Sequence, residues 1–166
     1  MMLPPEARRA AKDLPQDQFL FPYLANGVTT VQALSATPEE VELRDRTARG
    51  ELLGPRLILA RMIDGPDRAW PPPISTWVSS PSEARAAVRE AKAAGYDKIK
   101  AYSFLDRECY DALIQTAREV GMDVIGHVPM ALSVEYVLHS GQRLIAHSEE
   151  LAKHAMEDAD PEFVKK

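Results

Sequence analysis

The sequence predicts an α/β fold, one domain over residues 1–166 in which about five parallel strands alternate with helices. Three observations predict it. Five glycines, Gly27, Gly54, Gly95, Gly121 and Gly141, each precede a short run rich in Val, Ile or Leu: VTTVQAL, PRLILA, YDKIKAY, MDVIGHV and QRLIAHS. Those runs are short and apolar enough to be buried strands, and buried strands in sequence suit a parallel sheet with right-handed crossovers. The segments between the runs open on helix start signals.

The elements follow in order. Residues 1–16 form an N-terminal extension, with a helix expected over Leu3 to Asp13. The first strand falls near 28–34, after Gly27. Thr37-Pro38-Glu39-Glu40 then supplies an N-cap, a proline at the first helical position and a capping-box glutamate. Early Glu39, Glu40 and Glu42 before late Arg46 and Arg49 suit the helix dipole. A second strand is expected near 56–61. About twenty residues follow before the next helix, among them Trp70-Pro71-Pro72-Pro73 and Trp77. A connection that long, leaving the C-terminal end of a strand, is a candidate functional loop.

Ser80-Pro81-Ser82-Glu83 repeats the cap, proline and glutamate signal and leads to a strand near 98–102. Asp106 caps a helix running to Val120, ahead of a strand near 123–127. Ser133 caps a short helix to His139, ahead of a strand near 143–147. Residues 152–166 read as a polar tail. Each of the five glycines is placed where a helix ends in the left-handed conformation that glycine adopts without strain.

Composition excludes several function classes. The 166 residues are 45% hydrophobic, with 25 acidic against 20 basic side chains and a formal charge of −5. That balance argues against a nucleic-acid partner, which requires a basic face. The densest basic group, Arg44, Arg46 and Arg49, is interleaved with Glu42 and Asp45 and reads as a solvated helix face. No run approaches the roughly 18 apolar residues of a membrane span, and Met1 to Pro15 has no secretory apolar core. A single cysteine, Cys109, excludes an intramolecular disulfide framework and any CxxC motif. The expected location is the cytoplasm. Phosphate-cradling glycine motifs and a GxSxG nucleophile elbow are absent from the sequence.

Three side chains stand where a buried strand would not place them for packing. Lys100 lies five residues after Gly95, His127 six after Gly121 and His147 six after Gly141. These offsets put all three at the C-terminal rim of neighbouring strands, about 4.8 Å apart, where they can converge on one ion. Neutral imidazole is a common metal ligand. A buried lysine that loses its proton can react with carbon dioxide, and the carbamate then offers two oxygens. Cys109 reads as a core residue, His139 as a partner of its helix's last carbonyls and His154 as part of the polar tail. Lys98 reads as a surface lysine. Tyr102, two residues beyond Lys100, is placed either in packing or on the wall of a pocket.

Taken in order, the strings ANGVTTV, ARGELLGPR, AAGYDKIKAY, VIGHVP and SGQRLIAHSEEL resemble the amidohydrolase superfamily, in particular its imidazolonepropionase-like and Xaa-Pro dipeptidase-like hydrolases. The resemblance runs from about Phe19 to Leu151. It implies a TIM-type (β/α)8 barrel with one or two divalent metals, often zinc. It matches a strand-four lysine, frequently carbamylated, to Lys100, and metal-binding histidines of strands five and six to His127 and His147. The implied reaction is hydrolysis of an amide, in a dipeptide or a non-peptide C–N bond, by a metal-activated water, with Trp70, Trp77 and Tyr102 lining the substrate loop.

The sequence also departs from the family pattern. No two of its four histidines are spaced as His-x-His, and no aspartate matches the one after strand eight. A full barrel takes about 250 residues. The expectation is a partial barrel, strands two to six, with no catalytic residue assigned in the chain, weak hydrolysis by the chain alone, and self-association through open sheet edges. The alternative is a non-catalytic relative that binds a metal or a protein partner. An independent five-stranded flavodoxin-like module ranks last, since it leaves the aligned histidines unexplained.

Overall fold

The computed structural model describes residues 17–66 and 70–157, so the expected 1–16 extension and its Leu3–Asp13 helix lie outside the described residues. Helix α1 spans Asp17–Ala25, β1 Thr30–Ala33, α2 Pro38–Ala48, β2 Arg56–Asp64, β3 Ser75–Trp77 and α3 Pro81–Ala93. Then come β4 Lys98–Ala101, α4 Arg107–Glu119, β5 Asp123–Gly126, α5 Val134–Ser140, β6 Leu144–Ile145 and α6 Ser148–Glu157. The main path of the sheet is β1-β2-β4-β5-β6, every pair parallel, curled into about half of a TIM-type barrel. Sequential order excludes a doubly wound sheet, in which the first strand would be central.

The helices start where the caps predict. The Thr37 N–H donates to Glu40, the Ser80 hydroxyl accepts from the Glu83 N–H, and Asp106 and Ser133 accept from the N–H groups of Cys109 and Tyr136. The apolar faces of α3 and α4, through Ala84, Val88, Leu113 and Ala117, cover Leu59, Ile63, Ile99 and Val124 of the sheet. By the alternation of a pleated strand, Met62, Lys100 and Ile125 point to the opposite, inner side. They share one register row, with Met62 opposite Lys100 and Lys100 opposite Ile125.

Three expectations are corrected. Gly54 does not end a helix: α2 stops at Ala48, Gly50 takes the left-handed conformation (φ 74°), and Gly54 instead packs so closely on Leu20 that a Cβ would lie 2.9 Å from its side chain. The second strand does not end near residue 61: β2 continues to Asp64, and the long connection after it includes β3, parallel to β2 at Met62–Asp64. The tail expected from residue 152 begins as helix, through Glu157. In addition, Arg44 does more than solvate a helix face. It donates to the Gly95 carbonyl at 2.6 Å and pairs with Asp97 at 3.2 Å, tying α2 to the turn before β4. No helix among the described residues is long and apolar enough to cross a membrane.

The seam between β4 and β5 closes on Gly126. Its φ of 126° is one that side chains rarely adopt, and a Cβ there would meet the Ala101 carbonyl oxygen at 2.2 Å and Lys100 Cγ at 2.9 Å. Gly121, with φ 68°, has nothing within 4 Å of the same probe position. Gly126→Ala is therefore expected to lower stability by about 2–4 kcal/mol, from strain and overpacking together, and Gly121→Ala by about 1 kcal/mol from backbone strain alone. Thermal denaturation of the two variants side by side checks the difference.

Candidate active site

Lys100, the third residue of β4, is buried against the missing side chain of Gly126. Its Nζ sits 4.7 Å from the centre of the Tyr102 ring. Burial pulls its pKa below that of an ordinary lysine, opposed by the negative charges of Glu150 and Asp64. His127 follows β5 directly and is also buried, its backbone N–H donating to the Ala101 carbonyl. Its Nδ1 shares a hydrogen bond with Ser103 Oγ at 2.9 Å and lies 3.5 Å from Glu150 Oε1. The ring packs on Tyr102, with centroids 4.1 Å apart.

His147 stands two residues past β6, exposed to solvent, with its ring edge-on to His127 at 5.1 Å. Its φ of 74° makes it the one non-glycine residue with positive φ among the described residues. The left-handed turn carries the chain directly into α6, where the Glu150 N–H bonds back to the His147 carbonyl. All three predicted side chains are thus brought to the C-terminal ends of β4, β5 and β6, with Tyr102 and His127 at the middle. His139 is elsewhere, its Nδ1 bonded to the Glu135 carbonyl of its own helix. Cys109 is buried in α4, where burial pushes its thiol up to about 12, so it carries no nucleophile at neutral pH.

Two carboxylates escaped the sequence reading. Glu149 and Glu150, by their place in SEEL, read as acids that open a helix and suit its dipole; Glu150 sits in the first turn of α6, but it is turned inward and buried, accepting from the Val128 N–H at 3.3 Å. Only the reversal at His147 aims it there, and nothing in SEEL announces that turn. Asp64 is fully buried at the end of β2 and accepts from the N–H groups of Gly65 and Phe104 at 2.9 and 2.7 Å. Burial raises its pKa, against those two hydrogen bonds and the charge of Lys100. It was hidden because β2 runs three residues beyond its expected end. Ser103 was also unseen.

Of the loop aromatics, Trp70 reaches the site: its indole N–H donates to the Tyr102 hydroxyl at 3.3 Å. Trp77 does not contact it, and instead donates to the Trp70 carbonyl from an exposed position on β3. Below them Arg61 donates to the Pro73 carbonyl at 2.6 Å, to the Thr76 hydroxyl at 2.8 Å and, at 3.5 Å, to the carbonyl of Ala36.

Two imidazoles from adjacent strands, beside an amine that burial disposes to lose its proton, make a donor set that suits a divalent ion. Among the described residues no three His, Cys, Asp or Glu side chains are grouped to hold an ion by themselves. The fit therefore requires Lys100 as third donor, which an ammonium cannot be and a carbamate can. Ser103, His127 and Glu150 do not form a nucleophilic triad, since hydroxyl and carboxylate both address Nδ1 rather than opposite ring nitrogens.

No protein-family profile and no curated protein sequence matches the chain. Solved structures do. A bottromycin amidohydrolase matches 76% of the chain at 28% identity with a TM-score of 0.69. A candidate prolidase from Bifidobacterium longum matches 72% at 29% identity, TM-score 0.60. The chain resembles part of an amidohydrolase barrel. Another amidohydrolase structure, at 22% identity over 74% of the chain and TM-score 0.59, adds support for the fold. The chain spans 28%, 32% and 38% of the lengths of these three proteins.

The strain at His147 is open to test. A left-handed residue with a Cβ costs roughly 1–2 kcal/mol that glycine avoids. His147→Gly is expected to be about 1 kcal/mol more stable than His147→Ala, a difference of about 2–4 °C in midpoint for a chain of this size. Differential scanning calorimetry of both variants checks it.

Proposed function

We propose that this site binds a divalent metal ion, zinc by its donor types, and takes part in hydrolysing an amide bond. The observation that carries the reading is the pair of imidazoles, 5.1 Å apart on consecutive parallel strands, beside a buried lysine. Lys100, as its carbamate, with His127 and His147 would hold the ion. Such an ion, when bound, lowers the pKa of water and polarises a carbonyl. The residues of the chain do the rest. Ser103 and Glu150 hold Nδ1 of His127 from one side, and Tyr102 packs on the ring face and fixes its plane. Trp70, through its bond to the Tyr102 hydroxyl, walls the entrance and presents an apolar face to a substrate side chain, with Trp77 buttressing it through the Trp70 carbonyl. A dipeptide or a cyclic amide is the substrate class of this reading, and the neighbours named as an amidohydrolase and a candidate prolidase support it.

The test is zinc uptake by calorimetry, followed by hydrolysis of dipeptides and acyl amides with added zinc. We expect zinc binding that is lost in the His127→Ala, His147→Ala double variant, and zinc-dependent turnover slower than about 10 per second. Equal zinc uptake by the two proteins overturns the reading. The lysine gives an independent check. Only the neutral amine reacts with carbon dioxide, and burial lowers the pKa of Lys100, so its neutral form is present at lower pH than that of a surface lysine. Labelling with 13C-bicarbonate should show a carbamate carbon signal that persists towards neutral pH and is absent from Lys100→Arg.

A second reading, a binding module that associates with itself, is favoured by one observation. Phe19, Phe21, Tyr23, Val28 and Leu53 are all exposed, on α1 and on the segments leading into β1 and β2, and β1 is an edge strand among the described residues. Each large apolar side chain covered on association contributes about 1.5–3 kcal/mol. Phe21→Asp is expected to weaken self-association at least about tenfold, read by light scattering over a concentration series.

A further inference from the structure

We propose that Asp64 is a positioning residue, which by holding the Phe104 N–H fixes the Tyr102–Ser103 turn that in turn sets the ring of His127. The connection can be followed bond by bond. β2 and the segment after β4 are joined by the Tyr102 N–H on the Ile63 carbonyl at 3.1 Å and the Phe104 N–H on Asp64 Oδ1 at 2.7 Å. Between those two anchors lies Ser103, whose hydroxyl meets His127 Nδ1 and whose carbonyl accepts the Met130 N–H at 2.9 Å. Tyr102, the other residue of the turn, packs on the face of the same imidazole. A shift of Phe104 would therefore move both groups that orient His127.

The site of the clamp admits little alternative. Gly65 approaches the Phe104 carbonyl so closely that a Cβ would lie 2.0 Å from its oxygen, which brings the two segments together at backbone distance. Asp64 is fully buried, and its second oxygen, Oδ2, has no hydrogen-bond partner among the described residues. Burying a carboxylate with half its acceptor capacity unused is costly unless a nearby charge offsets it. In its ammonium form Lys100 supplies that charge.

The consequence for chemistry rests on the reading of His127 as a metal ligand, and the experiment separates the two. Imidazole 1H–15N correlations of the metal-free chain report the tautomer and order of His127. The wild-type chain and Asp64→Asn, which keeps the accepting oxygen, are expected to show one fixed His127 pattern. Asp64→Ala is expected to show an averaged, displaced pattern and about tenfold weaker zinc binding. Phe104→Pro removes the donated N–H with Asp64 intact, and must reproduce the displaced pattern should Asp64→Ala fail to fold. A folded Asp64→Ala or Phe104→Pro chain with the wild-type His127 pattern overturns the proposal, as does equal displacement in Asp64→Asn. His127→Ala controls the metal arm: unchanged zinc binding there defeats the ligand reading, while the imidazole signals still decide the clamp.

Discussion

The approach of β5 to β4 at Gly126 is the constraint on which the site depends. Without a side chain at that position, the Ala101 carbonyl and the stem of Lys100 occupy the space a Cβ would take. The His127 N–H then bonds Ala101, which seats the imidazole one residue beyond the strand and beside the ring of Tyr102. The same close seam keeps Lys100 out of water, and burial is what distinguishes it from Lys98, half-exposed and 3.9 Å from Asp123. One absent methyl group thus fixes both the placement of the candidate ligands and the chemistry of one of them.

Electrostatics around Lys100 follow from that burial. A lone ammonium in an apolar barrel would be strongly disfavoured, and two buried carboxylates, Asp64 and Glu150, stand near enough to oppose its deprotonation. They come from opposite sides, Asp64 from the end of β2 and Glu150 from the first turn of α6, so the charge balance draws on β2, β4 and α6. Conversion of the amine to a carbamate would reverse the sign of the charge between those carboxylates. A cation bound at the same place is then the natural counterweight, which gives the proposed metal an electrostatic role in addition to its chemical one.

Much of this was legible in the sequence because parallel β/α units repeat one local grammar. Each apolar run after a glycine became a strand, and the offsets of Lys100, His127 and His147 translated directly into neighbouring rim positions. The failures share one cause. Asp64 lay beyond the point where β2 was expected to stop, because sheet pairing with β3 and β4 extended a strand that the local pattern ended at Arg61. Glu150 obeyed the helix-dipole reading of its position yet faces inward, because a left-handed residue at His147 re-aimed the helix. Trp77 was grouped with Trp70 by proximity in sequence, and β3 turned the two to different tasks. Local patterns place elements along the chain; the side a residue takes at an element's end is decided by neighbours far away in sequence.

Arg61 carries a mechanical consequence. Its one guanidinium holds carbonyls on two separate segments, Ala36 between β1 and α2 and Pro73 beneath the Trp70 wall, with Thr76 as a third anchor. The rim on this side is thereby coupled: the Trp70 segment cannot swing outward without either releasing Arg61 or dragging the β1–α2 connection with it. The wall beside the candidate site is thus anchored from beneath, by a side chain on the helix side of the sheet rather than by one that faces the site.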